Sequence, residues 1–192
     1  MYINITLYSK VKMNLIVARC VNNGIGFEGK IPWRVDSDLH YFSKITKGEG
    51  LNAVIMGKNT WDSLPLIKGE KRGLMSRHNL VLSTSTSFDN ENNYSEKIKI
   101  FKGIEEIVAY LDTNPSLFED IWVIGGEQIY KQFLDLNIIS KCYVTIINKF
   151  FNCDTFFPLL LSNEWKEIER TNTYCFSNEC EVSYVVYEKE ER

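Results

Sequence analysis

One unit recurs along this chain and restricts its fold more than anything else: a short, continuously apolar run, a turn of glycine or hydroxyl residues, then a helix-forming segment. Leu15-Ile16-Val17-Ala18, Ala53-Val54-Ile55-Met56 and Ile121-Trp122-Val123-Ile124 are too short for buried helices and lack the alternation of a strand with one wet face. Each reads as a strand covered on both sides. Gly57 follows the second run and opens a short helix, while Gly125-Gly126 follows the third and leads into a helix from Gln128 to Leu134. Between them Ile104, Ile107, Val108 and Leu111 recur at helical spacing, and Pro115 closes that unit. Leu80-Val81-Leu82 and Ile98 to Phe101 add further strands. The alternation predicts an α/β fold: a single domain with a central, mostly parallel twisted sheet and helices on both faces. Cys142 to Ile147 is β-branched and strand-like. Trp165 to Thr173 and Glu181 to Glu188 have no helix between them, so they form an antiparallel C-terminal edge hairpin, with Val182, Tyr184 and Val186 on one face.

No linker or repeat divides the 192 residues, so one domain over 1–192 is expected, with 1–12 as an N-terminal extension. A net charge of −3 argues against nucleic-acid binding, and no apolar run is long enough to span a membrane. The expected setting is the cytoplasm and the expected partner a small molecule. Five widely spread cysteines, an odd number, read as reduced thiols, with Cys175 and Cys180 placed to meet across the hairpin. No Cys, His and carboxylate cluster has metal-ligand spacing. The stretches 64–78 and 89–97 are polar and irregular and read as surface loops.

Chemistry points to Asp38. A glycine-punctuated loop, Gly24 to Pro32, runs through Trp33 into a helix from Ser37 to Thr46, with Asp36 as N-cap and Gly48 as stop. Asp38 stands in its first turn, and Leu39 and Phe42 share a face beside it. Partial desolvation raises the pKa of such an acid, whereas helix N–H groups favour its ionised form.

Taken in order, these residues resemble the dihydrofolate reductase family from about residue 13 to 188. The resemblance is carried by Asn23-Gly24-Ile25-Gly26, Pro32-Trp33, Asp38-Leu39-x-x-Phe42, Val54-Ile55-Met56-Gly57-Lys58-x-Thr60-Trp61, Arg77-x-Asn79, Val123-Ile124-Gly125-Gly126-x-x-x-Tyr130, Thr145 and Asp154-Thr155-x-Phe157-Pro158. It implies hydride transfer from NADPH to dihydrofolate, giving tetrahydrofolate for one-carbon metabolism and thymidylate synthesis. Asp38 would bind the pterin edge, Trp33 a water, and Thr145 both Asp38 and the pterin. Leu39, Phe42 and Leu64 would wall the substrate, Ile16 and Ile124 would offer carbonyls, and Arg77 would grip the glutamate α-carboxylate as a bidentate fork. Ala18 and Ile25 would meet the nicotinamide carboxamide. Gly57, Lys58, Thr60, Gly126, Glu127 and Gln128 would hold the pyrophosphate, Gly125 and Tyr130 would also meet the cofactor, and Ser83 and Thr84 would lie near the 2′-phosphate. The Gly125-Gly126 peptide is expected to be cis, and the Gly24 to Pro32 loop to close over the site.

Four residues depart from the family's pattern: Thr84 and Gln128 stand where relatives carry basic residues, Glu127 where they carry a small one, and Asp36 where bacterial ones carry proline. Antifolates are expected ligands. A monomer is expected unless the chain is one domain of a fusion with thymidylate synthase. Two other functions compete. A riboflavin-pathway reductase would share the fold but has no use for Pro32-Trp33 with Asp38, or for Arg77; a folate-binding scaffold would bind methotrexate without turnover.

Overall fold

A computed structural model describes residues 11–70, 72–85, 96–176 and 179–190. Most of the expected N-terminal extension and of the polar stretch 89–97 lies outside these residues. Strands β1 (Met13–Cys20), β3 (Ala53–Gly57), β4 (His78–Leu82), β5 (Ile98–Phe101), β6 (Ile121–Gly125), β7 (Ile139–Ile147), β9 (Trp165–Cys175) and β10 (Cys180–Lys189) form one sheet. Its order is β5-β4-β3-β6-β1-β7-β10-β9. Pairing is parallel from β5 through β7 and antiparallel at β7–β10 and β10–β9. The expected architecture is present, including the edge hairpin.

The side-chain period of a strand sorts the central runs onto two faces. Leu15, Val17, Ala53, Ile55 and Val123 pack with helices α3 (Ile104–Thr113) and α4 (Glu127–Asp135). Ile16, Val54, Met56, Trp122 and Ile124 pack on the opposite face, against α1 (Asp36–Lys47) and α2 (Lys58–Ser63). Apolar residues at successive positions are therefore needed, because each neighbour in sequence fills a different core. The four helical-spacing residues of α3 are all buried.

Three expectations are corrected. Asp36 does not cap α1. It is the first helical residue, Val35 holds the cap position without a side-chain bond, and the Asp36 carboxylate accepts from Arg34 Nε at 2.9 Å. The stop at Gly48 stands, with φ at 50° and its N–H donated to Lys44 O. Strand β10 does not simply alternate, since Ser183 and Val185 are buried as well as Val182 and Val186; Val185 and Val182 pack into different cores, so both faces are covered, and a bulge follows Val186. The stretch 64–78 is not all surface. Gly73 and Arg77 are buried, and the buried Asn79 organises them: its Oδ1 accepts the Leu74 N–H at 2.8 Å, and its Nδ2 donates to Leu74 O at 3.1 Å and Arg77 O at 3.0 Å. A polar side chain so enclosed must find its partners in backbone, and here they shape a loop.

A short ribbon lies beside the main sheet. Strand β2 (Gly24–Gly26) pairs antiparallel with β8 (Thr155–Phe156). Beyond β2, Phe27 and Lys30 exchange backbone hydrogen bonds of 2.8 and 3.0 Å around Glu28 and Gly29, whose φ values are 48° and 73°. Two successive positive φ values are the signature of a two-residue type I′ turn.

Candidate active site

A cleft of about 1620 Å³ opens where β1, β3, β4 and β6 end. Ala18, Gly57, Ser83 and Gly126 mark those ends, as expected for a parallel sheet, in which ligands sit beyond the strands' carboxyl termini. The volume exceeds the few hundred to ~1,000 Å³ of a pocket for one drug-sized ligand. A cleft this large has room for two ligands side by side.

Asp38 reaches the cleft from the first turn of α1. Burial pushes its carboxyl above the ordinary range, while a hydrogen bond from Thr145 opposes that shift. Thr145 itself is buried on β7, behind the acid rather than on the cleft wall. Leu39 and Phe42 line the cleft one face-step along the same helix, and Leu64 follows α2 into it. Leu39 remains half exposed because it borders the opening.

Arg77 also lines the cleft, yet it is only 6 % exposed. Its guanidinium donates to Thr46 Oγ1 at 2.7 Å and to Met75 O at 3.1 Å, both neutral acceptors. Burial lowers its pKa, and among the described residues no carboxylate offsets its charge. A buried cation held only by neutral oxygens is placed to take an anion from outside.

The glycine turns form the opposite wall. The Gly125-Gly126 peptide is cis, as expected, and Gly125 has φ of 114°. A Cβ there would lie 2.9 Å from the Tyr130 ring, and one on Gly57 would lie 2.9 Å from Ile129. Both glycines are required by close approach, which brings β3 and β6 against the start of α4. Gly126 caps α4 without any side-chain bond, so its first N–H groups face the cleft with Glu127 and Gln128 around them. Lys58, Thr60 and Thr84 line the same region, and Lys58 pairs with Asp62. Ser83 is buried, its Oγ accepting the Ser85 N–H at 3.1 Å.

Tyr130 is wholly enclosed. Its hydroxyl lies 2.9 Å from Ile16 O and 2.8 Å from Ile124 O, so one proton is shared between the carbonyls of two residues that line the cleft. Sequence reasoning assigned those carbonyls and this tyrosine to separate ligands; the fold joins them in one network. Trp33 is buried and packs at a tilt against Phe151, ring centroids 5.2 Å apart, off the cleft wall. Gly125 likewise shapes the wall without lining it.

Asp154 and Thr155 belong to the cleft, a place that their motif alone does not assign them. Asp154 Oδ2 accepts the Glu28 N–H at 2.7 Å and its Oδ1 accepts from the Thr155 hydroxyl at 2.7 Å. The Glu28 bond, foremost, depresses its pKa. The loop bearing Ile25 and Gly26 is thereby tied to β8. Two strands of three and two residues leave no periodic signal that could have revealed it.

Comparison with known proteins agrees with this geometry. The family described as dihydrofolate reductase matches residues 12–189. A dihydrofolate reductase of Heliothis virescens is 41 % identical over 154 residues, covering 78 % of this chain and 80 % of that one. One from Drosophila melanogaster is 36 % identical over 154 residues, 78 % of this chain and 81 % of its own. A bifunctional dihydrofolate reductase-thymidylate synthase of Daucus carota is 35 % identical over 187 residues, which are 91 % of this chain but 34 % of that protein. With the matched family spanning nearly all of the sheet and the whole cleft, this chain belongs to the dihydrofolate reductase family.

Proposed function

We propose that this protein reduces 7,8-dihydrofolate to 5,6,7,8-tetrahydrofolate with NADPH. The observation that carries the reading is the pairing, in one cleft, of a part-buried acid with a buried arginine that, among the described residues, no acid neutralises. Dihydrofolate has the complementary ends: a ring N–H beside an amino group for the two oxygens of Asp38, and a glutamate carboxylate for Arg77. Leu39, Phe42 and Leu64 supply the apolar walls between.

The donor set suits a phosphorylated dinucleotide. Glycine turns at 57 and 126, the uncapped start of α4, Lys58 and Thr60 fit a pyrophosphate, while Ser83, Thr84 and Lys102 fit a further phosphate. When bound, the reduced nicotinamide supplies the hydride. The chain's own contribution is alignment and charge. Asp38 holds the heterocycle in register and raises the proton affinity of its ring nitrogen. Thr145 fixes the carboxyl, Trp33 steadies the segment that delivers it and orders the proton-donating water, and the 24–32 loop excludes bulk solvent. Ala18 and Ile25 present backbone groups to the carboxamide.

The test is disappearance of NADPH absorbance on adding dihydrofolate, with NADH in parallel. Turnover with clear preference for NADPH is expected; a folded protein that binds methotrexate yet turns nothing over would refute the reading.

A further inference from the structure

Four of the five cysteines, Cys20, Cys153, Cys175 and Cys180, gather in one apolar cluster with Trp33, Val35 and Phe151. All are reduced. Cys175 and Cys180 are cross-strand partners in the β9–β10 ladder. The more informative pair lies under the cleft loop, where the sulfurs of Cys20 and Cys153 are 3.9 Å apart although 133 positions separate them in sequence. Neither residue lines the cleft, and the folate chemistry proposed above uses neither.

Their position is mechanical. A Cβ on Gly24 would lie 3.0 Å from the Cys20 sulfur and would overlap that of Cys153, so both sulfurs press against the first residue of β2. Cys20 ends β1 immediately before the turn into that ribbon, and its thiol donates to Asn22 Oδ1 at 2.8 Å. Cys153 directly precedes Asp154, whose carboxylate holds the Glu28 N–H. The two thiols thus grip both strands that anchor the loop over the cleft.

We infer that Cys20 and Cys153 are a redox modification site, a dithiol that oxidises to a disulfide beneath the β2–β8 ribbon and slows turnover by fixing the root of the cleft loop. The oxidant is a low-molecular-weight disulfide. Cys153, the more exposed thiol, loses its proton and attacks one sulfur of the oxidant, expelling the other as a thiolate. The Cys20 sulfur, after losing its proton, attacks the Cys153 sulfur of the mixed disulfide and expels the second thiolate. One S–S bond is broken and one formed, and the oxidant leaves as two thiols. The new bond of about 2.05 Å requires the sulfurs to close by roughly 1.9 Å. That movement takes the proton from the Cys20–Asn22 bond and draws the residue before Asp154 toward β1. Burial first, then the neighbouring Cys20 thiol, push the Cys153 pKa upward, which makes the exchange slow at neutral pH and suits it to sustained oxidation.

The activity readout rests on the reductase reading, whereas the chemical readout does not. The purified chain is incubated with oxidised glutathione, alkylated and peptide-mapped, and kcat with NADPH and dihydrofolate is measured before and after dithiothreitol. A Cys20–Cys153 cross-linked peptide is expected, with a severalfold fall in kcat that reduction restores. Cys153→Ser and Cys153→Ala should keep their activity through the same treatment. Absence of that peptide overturns the site, and an unchanged kcat in the cross-linked protein, or a loss that persists in both variants, overturns its control of turnover. Because the peptide map needs no substrate, failure of the reductase reading leaves the dithiol still measurable.

Discussion

Gly29 lines the cleft and Gly125 shapes the wall facing it; both have positive φ, 73° and 114°, yet they stand in unlike surroundings. Around Gly125 the Tyr130 ring leaves no room for a Cβ, and that tyrosine in turn holds the carbonyls of Ile16 and Ile124. Around Gly29 nothing lies within 4 Å of where a Cβ would be. One wall of the cleft is an interior surface laid open to it; the other is a turn tied down by a small ribbon and one carboxylate. Glycine serves close packing in the first and chain reversal in the second. The same residue type therefore predicts rigidity on one side and ease of movement on the other.

The contrast can be broken most directly at Gly125. Gly125→Ala should cost about 3–5 kcal/mol, adding backbone strain to overpacking against Tyr130, and chemical denaturation would measure it. A loss below about 1 kcal/mol would show that the packed wall yields as readily as the loop. Across the cleft from it, Asp38→Asn should fold normally and lower the hydride-transfer rate at pH 7 by about a hundredfold or more, with recovery in acid as the substrate nitrogen protonates. Its stability should move the other way. Burial raises the folded-state pKa of Asp38, so its contribution is full below the unfolded carboxylate value and is lost as pH rises through the folded one. The variant should lack that decline and melt above the parent at neutral pH, as calorimetry across pH would reveal.

On the pinned wall, Asp154→Ala removes the Glu28 tether without touching the sheet. A severalfold fall in kcat with an unchanged melting temperature is expected from steady-state kinetics and thermal melts. The smallest effect belongs to Gly29→Ala, about 1 kcal/mol of destabilisation from the left-handed backbone alone. A cost matching that of Gly125→Ala would mean the two walls are not distinct.

Much of this was legible in the residues. Apolar runs without alternation gave buried strands, and the glycines after them gave the cleft, because both follow from local chemistry and strand period. Asp38 and Arg77 are legible by motif, and the structure adds that the arginine is buried without a matching acid among the described residues. The cap at Asp36 was misread because a side chain two residues back, Arg34, competes for its carboxylate. The simple alternation expected of β10 gave way because its other face is covered too.

By itself the sequence determined the sheet's buried strands, the placement of its turns and the acid at the head of α1, since each depends on neighbours within a few residues. Only the tertiary structure decided that one tyrosine proton spans two strands, that Asp154 holds the loop, and that two distant thiols meet beneath it. Those contacts join segments more than a hundred residues apart in all but one bond, and no local pattern encodes which distant partner closes such a gap.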